Sequence, residues 1–156
     1  MYEHLLVALD GSDAAEHVLP HVEAFADAFH SKVTLISAVV SLEALVAQSS
    51  MSGPGGSATL APPVDATEIL EAEHAGITDY LARIVSRLRA KGLTVETDTP
   101  EGDPAEKVVE RAESLGASLI MMTTHGRGGL GRLVHGSTAD KVLRHAKCPV
   151  LLVRVH

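Results

Sequence analysis

Five short apolar segments, separated by four helical patterns, constrain the fold of this 156-residue chain more than any other feature. The second and the last segments are apolar on both faces, which is typical of strands buried between two layers of helices. The third segment alternates apolar and polar residues and suits the edge of a sheet. Since β-α-β connections are right-handed and place helices on both sides of a sheet, we predict an α/β, Rossmann-like fold with an open, mostly parallel five-stranded sheet and helices on both faces. The predicted strands cover residues 4–9, 32–40, 93–99, 117–123 and 149–155.

The first predicted helix runs from Asp13 to about His30. Glu16 stands three residues after Asp13, and the two would form a capping box at the start of the helix. Pro20 lies inside this span, so we expect a kink there.

The second predicted helix covers residues 65–91 and ends at Gly92, which suits the left-handed position that follows a helix. Before it, residues 41–64 are rich in Ser, Gly and Pro and are predicted to form a flexible excursion from a single domain that spans residues 1–156. Residues at helical spacing form its predicted buried stripe: Ile77, Leu81, Ile84 and Leu88.

The third helix has a strong start at Asp103, Pro104 and Glu106, with a cap, a proline at the first position and a glutamate at the third. It is predicted to end near Gly116, and a fourth helix is predicted over residues 137–146.

Composition narrows the classes of partner. Thirteen basic against 20 acidic residues give a formal net charge of −7, which disfavours nucleic acid and anionic membranes. With two Tyr, two Phe and no Trp, the chain lacks the aromatic faces on which single-stranded nucleic acids stack. Cys148 is the only cysteine, and neither a basic targeting segment nor a stretch of membrane-spanning length is present. We therefore expect a cytoplasmic protein.

Residues 121–138 carry the main functional pattern: an apolar strand that ends at Thr123, a glycine-rich turn and the start of a helix. Glycine lets main-chain N–H groups approach an anion closely, and a helix start adds unpaired N–H donors. Arg127 and Arg132 add cations that could pair with phosphate. In a parallel sheet this turn, Asp10 and the end of the second strand meet at the carboxyl edge, where ligands bind at the switch point of strand order. The sequence therefore predicts a phosphate or nucleotide site.

Two generic phosphate-binding motifs fit this turn only in part. A G-x-G-x-x-G pattern begins at Gly126, but in a dinucleotide-binding fold it follows the first strand, whereas here it follows the fourth. The P-loop pattern lacks both its lysine and the Ser or Thr that would hold Mg²⁺. Neither motif supports an assignment.

A longer pattern resembles the nucleotide signature of the universal stress protein family, G-x2-G-x9-G-(S/T). Gly126 is followed after nine residues by Gly136 and Ser137, whereas Thr123 occupies the position of the first glycine. The resemblance spans the chain, and three further segments carry it: residues 8–12, 102–104 and 148–153.

The resemblance implies an adenine-nucleotide-binding fold of the adenine nucleotide alpha hydrolase-like type, usually a homodimer, without an established catalytic reaction. The implied ligand is ATP, or AMP or ADP, with Mg²⁺ bound through the phosphates. The aspartate after the first strand and main-chain groups at the end of the second would hold the adenosine part. The glycine loop and the following helix start would hold ribose and phosphates. The site residues that the resemblance implies are Asp10, Ala38 or Val39, Gly126, Gly136, Ser137 and Thr138. The predicted site also includes further residues of the turn: Thr123, His125, Arg127, Gly128, Gly129 and Arg132.

Two alternatives to a nucleotide-binding stress-response module stay open. One is a member of the same fold that has lost nucleotide binding and works through protein contacts, which Thr123 would favour. The other is a slow ATPase or nucleotidyl transferase, which phosphoryl-transfer chemistry disfavours because no positioned base and no dedicated carboxylate metal ligands are evident. We therefore expect a protein that is not an enzyme.

Several of these residues also have purely structural explanations. Ser137 fits a capping box, and Asp10 could simply close the turn after the first strand. His17 and His21 lie one helical turn apart but have no evident third ligand, so they are interpreted as surface residues and not as a metal site.

The last apolar segment, residues 149–155, also has a functional interpretation. A bare edge strand invites pairing with another chain, and in the family the last strand commonly pairs with its symmetry mate. We therefore predict a homodimer through this strand; the alternative is an edge that a helix of the same chain covers.

Overall fold

A computed structural model describes residues 1–39, 41, 66–125 and 137–155, in which helices cover a five-stranded sheet. The strand order is β3-β2-β1-β4-β5, and all four pairings are parallel. The predicted α/β fold is confirmed, and the sheet is parallel throughout rather than mostly parallel. In chain order the elements are β1 (His4–Ala8), a 3-10 helix (Ala15–Val18), α1 (Leu19–Phe29), β2 (Lys32–Ile36), α2 (Ala66–Ala90), β3 (Val95–Asp98), α3 (Pro104–Ser114), β4 (Leu119–His125), α4 (Ser137–His145) and β5 (Val150–Val155).

Two apolar clusters hold helices against the two faces of the sheet. The first packs α1, α2 and the 3-10 helix, and the second packs α3 and α4. Because side chains alternate along a strand, Val7 belongs to the first cluster and its neighbour Leu6 to the second, and both are fully buried. Burying such a side chain stabilises a fold by about 1.5–3 kcal/mol. The central strand β1 is therefore held firmly, and so is the loop that follows it.

The buried stripe predicted for the second helix is confirmed. Leu81, Ile84 and Leu88 of α2 are buried in the first cluster, and Ile77 is half-buried against it. Gly92, with φ of +85°, takes the left-handed conformation expected just after the helix. No helix in the described ranges is long and apolar enough to cross a membrane.

The kink predicted at Pro20 is not formed, because the α-helix begins there. Residues 15–18 form the 3-10 helix, and α1 starts at Leu19. Pro20 thus lies in the first turn of α1, where its missing N–H removes no intrahelical hydrogen bond.

The capping box predicted for Asp13 and Glu16 is also wrong. The residue directly before the 3-10 helix makes no side-chain capping hydrogen bond. The Ser12 hydroxyl instead accepts the Ala15 N–H at 3.1 Å. The turn after β1 shifts the cap by one residue, because that turn holds Ser12 through hydrogen bonds to Asp10.

The two edge strands differ in how they are protected. The predicted edge position of the third strand is confirmed, since β3 pairs only with β2 among the described strands. Its edge carries the exposed Glu96, which pairs with Lys32 at 2.8 Å, and its Val95 carbonyl accepts a hydrogen bond of 2.6 Å from Arg89. The opposite edge, β5, has five apolar residues among its six.

Candidate functional site

A cleft of about 230 Å³ opens at the carboxyl edge of the sheet. The chain runs outward from β1 to β2 and β3, and then returns to β4 on the other side of β1. The gap between the ends of β1 and β4 is therefore the switch point, where open α/β sheets bind ligands. The ends of β1, β2 and β4 and the starts of α3 and α4 all contribute to the lining of this cleft.

The described lining is apolar apart from four side chains, the carboxylate of Asp10 and the hydroxyls of Thr123, Thr124 and Thr138. No Lys or Arg is among these described lining residues. A carboxylate accepts hydrogen bonds, and a hydroxyl both donates and accepts them. This part of the cleft is therefore suited to an uncharged ligand group with hydroxyl or amine donors, and it repels an anion.

The turn after β1 holds Asp10 in place. The Ser12 N–H donates to Asp10 Oδ1 at 3.0 Å, and the Ser12 hydroxyl donates to the same oxygen at 2.5 Å. No described residue donates to Oδ2, and the side chain is exposed at the cleft. One oxygen thus fixes the orientation of Asp10, and the other remains open to a ligand.

Gly11 makes this turn possible. Its φ of +81° favours glycine, and a Cβ at this position would lie 3.2 Å from Cδ1 of Ile77 on α2. The helix α2 therefore packs closely against the turn that positions Asp10.

At the end of β2 the structure separates Ala38 from Val39. The Val39 N–H donates to the Pro100 carbonyl at 2.9 Å, and the Val39 carbonyl accepts from the Gly102 N–H at 3.0 Å. Val39 is buried and is not among the lining residues, whereas Ala38 lines the cleft and makes no main-chain hydrogen bond with another described residue. Ala38 is therefore the one of the two whose backbone a ligand could reach.

On the other face, α3 and α4 are joined at the cleft. Asp103 accepts the Glu106 N–H at 3.1 Å, which confirms the predicted cap, and it pairs with Lys141 of α4 at 3.1 Å. The Glu106 N–H and then Lys141 lower the pKa of Asp103 from its ordinary value. This pair holds the first turns of the two helices, which supply Pro104 and Thr138 to the lining.

Thr123 lies at the carboxyl end of β4, opposite Val153 of β5. It is 8% exposed and lines the cleft, and its hydroxyl makes no hydrogen bond with another described residue. The structure thus brings Asp10, Ala38, Thr123 and Thr138 of the predicted site residues into one cleft.

The remaining predicted residues cannot be placed. Gly126, Arg127, Gly128, Gly129, Arg132 and Gly136 lie outside the described residues, as do residues 42–64 of the predicted excursion. Only the elements that contain His125 and Ser137 are described: β4 ends at the first, and α4 starts at the second.

Sequence reasoning missed two contributors near the site. Thr124 lines the cleft, and its place directly after Thr123 at a strand end was the only available signal. Tyr80 of α2 is buried, and its hydroxyl has no hydrogen-bond partner among the described residues. Burial, together with the negative charges of Glu16 and Asp10, raises the pKa of Tyr80 to about 12. The packing of α2 brings this phenol near Asp10 and Glu16, and no local sequence pattern indicates that proximity.

Other candidate side chains belong to different settings. His17 and His21 are exposed, and among the described residues no group of three or more His, Cys, Asp and Glu side chains could hold a metal ion. Cys148 packs against the second cluster, and burial raises the pKa of its thiol, which favours the unreactive protonated form.

Comparison with known proteins identifies a family and relatives that match nearly the whole chain. The family model described as "Universal stress protein family" matches residues 1–154. The chain is 32% identical to universal stress protein MJ0531 of Methanocaldococcus jannaschii over 99% of this chain and 83% of that protein. It is 31% identical to universal stress protein YxiE of Bacillus subtilis over 99% of this chain and 100% of that protein.

Solved structures share the fold. The structure of MJ0577 of M. jannaschii superposes with a TM-score of 0.79 at 26% identity and covers 100% of this chain and 98% of its own. A universal stress protein in complex with cAMP has a TM-score of 0.68 at 24% identity, covering 99% of this chain and 98% of its own. A universal stress protein from Archaeoglobus fulgidus in complex with dAMP has a TM-score of 0.65 at 22% identity, and 97% of each chain is covered.

Proposed function

The chain belongs to the universal stress protein family, and we propose that it binds an adenine nucleotide in the cleft between β1 and β4. The observation that carries this proposal is the orientation of Asp10, whose Oδ1 is held by Ser12 while Oδ2 remains open at the switch point of the sheet. A carboxylate in this position is suited to accept hydrogen bonds from a nucleoside.

The charges of the cleft favour one orientation of the nucleotide. The described lining has a carboxylate and no cation, so the adenosine part lies there, near Asp10 and Ala38. The phosphates extend toward the start of α4 and residues 126–136, where the sequence provides Arg127 and Arg132.

We propose ATP as the ligand, with AMP and ADP as alternatives, and Mg²⁺ held through the phosphates rather than by a protein cluster. The described residues contain no group of metal-ligating side chains, so a cation would be brought in by the triphosphate. Two proteins of the same fold have been solved with cAMP and with dAMP, which supports an adenine nucleotide as the class of ligand.

The role we propose is that of a stress-response binding or signalling module rather than an enzyme. The described polar side chains of the lining are one carboxylate and three hydroxyls, and in-line phosphoryl transfer normally needs a positioned base and metal ligands as well. The single cysteine, Cys148, is the reason that we expect this module to act in the cytoplasm.

Asp10→Asn tests the site. Asparagine keeps an oxygen for Ser12 but removes the charge, so we expect AMP and ATP to bind about 10- to 100-fold more weakly, the loss of a hydrogen bond to a charged acceptor. Isothermal titration calorimetry with AMP, and with ATP in the presence and absence of Mg²⁺, measures the change. Asp27→Asn, an exposed aspartate near the end of α1, is the charge-matched control and should leave Kd unchanged. A wild-type protein that releases no heat at millimolar nucleotide would contradict the proposal.

We also propose a homodimer in which β5 pairs with its symmetry mate. Every apolar residue of β5 is only half-buried in the single chain. Leu143 of the neighbouring helix α4 is 44% exposed. By contrast, charged side chains protect the β3 edge, so a second copy would choose β5.

A further inference from the structure

The proposed function leaves open the role of Thr123 in the cleft. Thr123 lies near the carboxyl end of β4, is 8% exposed, and its hydroxyl makes no hydrogen bond with another described residue. We propose that this hydroxyl hydrogen-bonds a sugar hydroxyl of the nucleotide, so that Thr123 makes the cleft prefer ribonucleotides to deoxyribonucleotides. This inference rests on the proposed function and adds a specificity-determining residue to it.

A ligand in this cleft must provide a hydrogen-bond partner for the Thr123 hydroxyl. The side chain is already largely buried, so a ligand that covers the rest of it removes the hydroxyl from water. A hydroxyl that loses water without gaining a partner destabilises the complex. The ligand atom that faces Thr123 is therefore polar.

The order of the strands indicates which part of the nucleotide faces Thr123. Ala38 follows β2, Asp10 follows β1 and Thr123 lies near the carboxyl end of β4, and these three strands are adjacent in the sheet. Neighbouring strands lie about 4.8 Å apart, so the path from Ala38 to Thr123 spans about 10 Å. With the base near the end of β2 and the phosphates at the start of α4, the sugar lies between them, beside β1 and β4.

The charges of the cleft favour a sugar over a phosphate at this point. Asp10 lines the same cleft, and no Lys or Arg is among its described lining residues. A phosphate here would meet a carboxylate without a compensating cation among the described lining residues. Sugar hydroxyls can donate to Asp10 and exchange a hydrogen bond with Thr123, since a threonine hydroxyl is both donor and acceptor.

The test compares AMP with 2′-deoxyAMP and 3′-deoxyAMP by calorimetry on the wild type and four variants. The wild type should bind AMP about three- to tenfold more tightly than at least one deoxy analogue, the usual effect of one hydrogen bond. Thr123→Val keeps the shape and removes the hydroxyl, so it should weaken AMP binding and abolish the preference over the analogue that lacks the hydroxyl facing Thr123, while a preference that is due to Asp10 remains. Thr123→Ser keeps the hydroxyl and should keep the preference. Thr34→Val removes a buried hydroxyl elsewhere, one that lies 2.8 Å from His4 Nε2, and should leave the preference unchanged.

The ratio of the affinity for AMP to the affinity for each deoxy analogue separates this role from a structural one. A general loss of stability weakens the binding of all three nucleotides equally and leaves these ratios unchanged. Equal binding of all three nucleotides by the wild type, or preferences over both deoxy analogues that are unchanged in Thr123→Val, overturns the inference while the proposed function stands. If Thr123 instead only crowds the sugar, Thr123→Ala would bind AMP more tightly than the wild type, which also overturns it. A wild type that binds none of the three overturns the proposed function itself, and the inference with it.

Discussion

Asp103 links two helices at the cleft through a single carboxylate. It caps α3 through the Glu106 N–H and pairs with Lys141 of α4 at 3.1 Å. Both contacts stabilise the charged form, and both depend on the ionised carboxylate for their full strength. At the scale of one residue, this side chain couples the start of α3 to the position of α4.

The first prediction concerns the pH dependence of this contact. Because the folded state lowers the pKa of Asp103, its contribution is fully present above the ordinary pKa of the carboxyl and is lost as pH falls through the lower, folded value. Asp103→Asn can still cap the helix but cannot ionise, so it should lower Tm at neutral pH and approach the wild type under acid conditions. Calorimetric scans of both proteins across acidic and neutral pH measure the difference.

Asp103→Ala serves as the control for the cap. It should cost about 0.5–2 kcal/mol of stability, because the N-cap acceptor itself is removed. If the difference between wild type and Asp103→Asn stays constant from neutral to acid pH, the charge of Asp103 does not stabilise the fold.

At the scale of secondary-structure elements, α2 depends on its buried stripe. Leu88 is fully buried in the first cluster, whereas Ile69 of the same helix is 39% exposed. We predict that Leu88→Ala lowers the free energy of unfolding by about 2–5 kcal/mol, since it leaves a cavity in a packed core. Ile69→Ala should change it by no more than about 0.5 kcal/mol. Urea denaturation measures both, and equal effects would mean that α2 is not held by this stripe.

For the molecule as a whole, we predict that an added charge at one edge of the sheet disrupts the dimer and that the same charge at the other edge does not. Val155 of β5 is half-exposed and belongs to neither apolar cluster, so Val155→Lys adds a charge to the edge without disturbing the core. We expect the wild type to be a dimer and this variant to be a monomer by size-exclusion chromatography with light scattering. Circular dichroism establishes that the variant is folded.

Thr97→Lys places the same charge at an exposed position on β3, the opposite edge, and should remain dimeric. A monomeric wild type, or a Thr97→Lys monomer beside a Val155→Lys dimer, would contradict pairing through β5.

Features that depend on local periodicity and local hydrogen bonds were predictable from the amino-acid sequence. The parallel sheet follows from apolar segments that alternate with helical patterns, and the stripe of Leu81, Ile84 and Leu88 follows from helical spacing. The cap at Asp103 was predictable because it spans only three residues.

Tertiary structure decided the features in which distant segments compete for the same groups. Pro100 and Gly102 engage the main chain of Val39, which leaves Ala38 at the cleft. The shift of the helix cap from Asp13 to Ser12, by contrast, rests on hydrogen bonds within residues 10–15 and is local. The position of Ala38 at the cleft is not encoded in a local pattern, because it depends on which backbone groups the folded sheet brings within hydrogen-bonding distance.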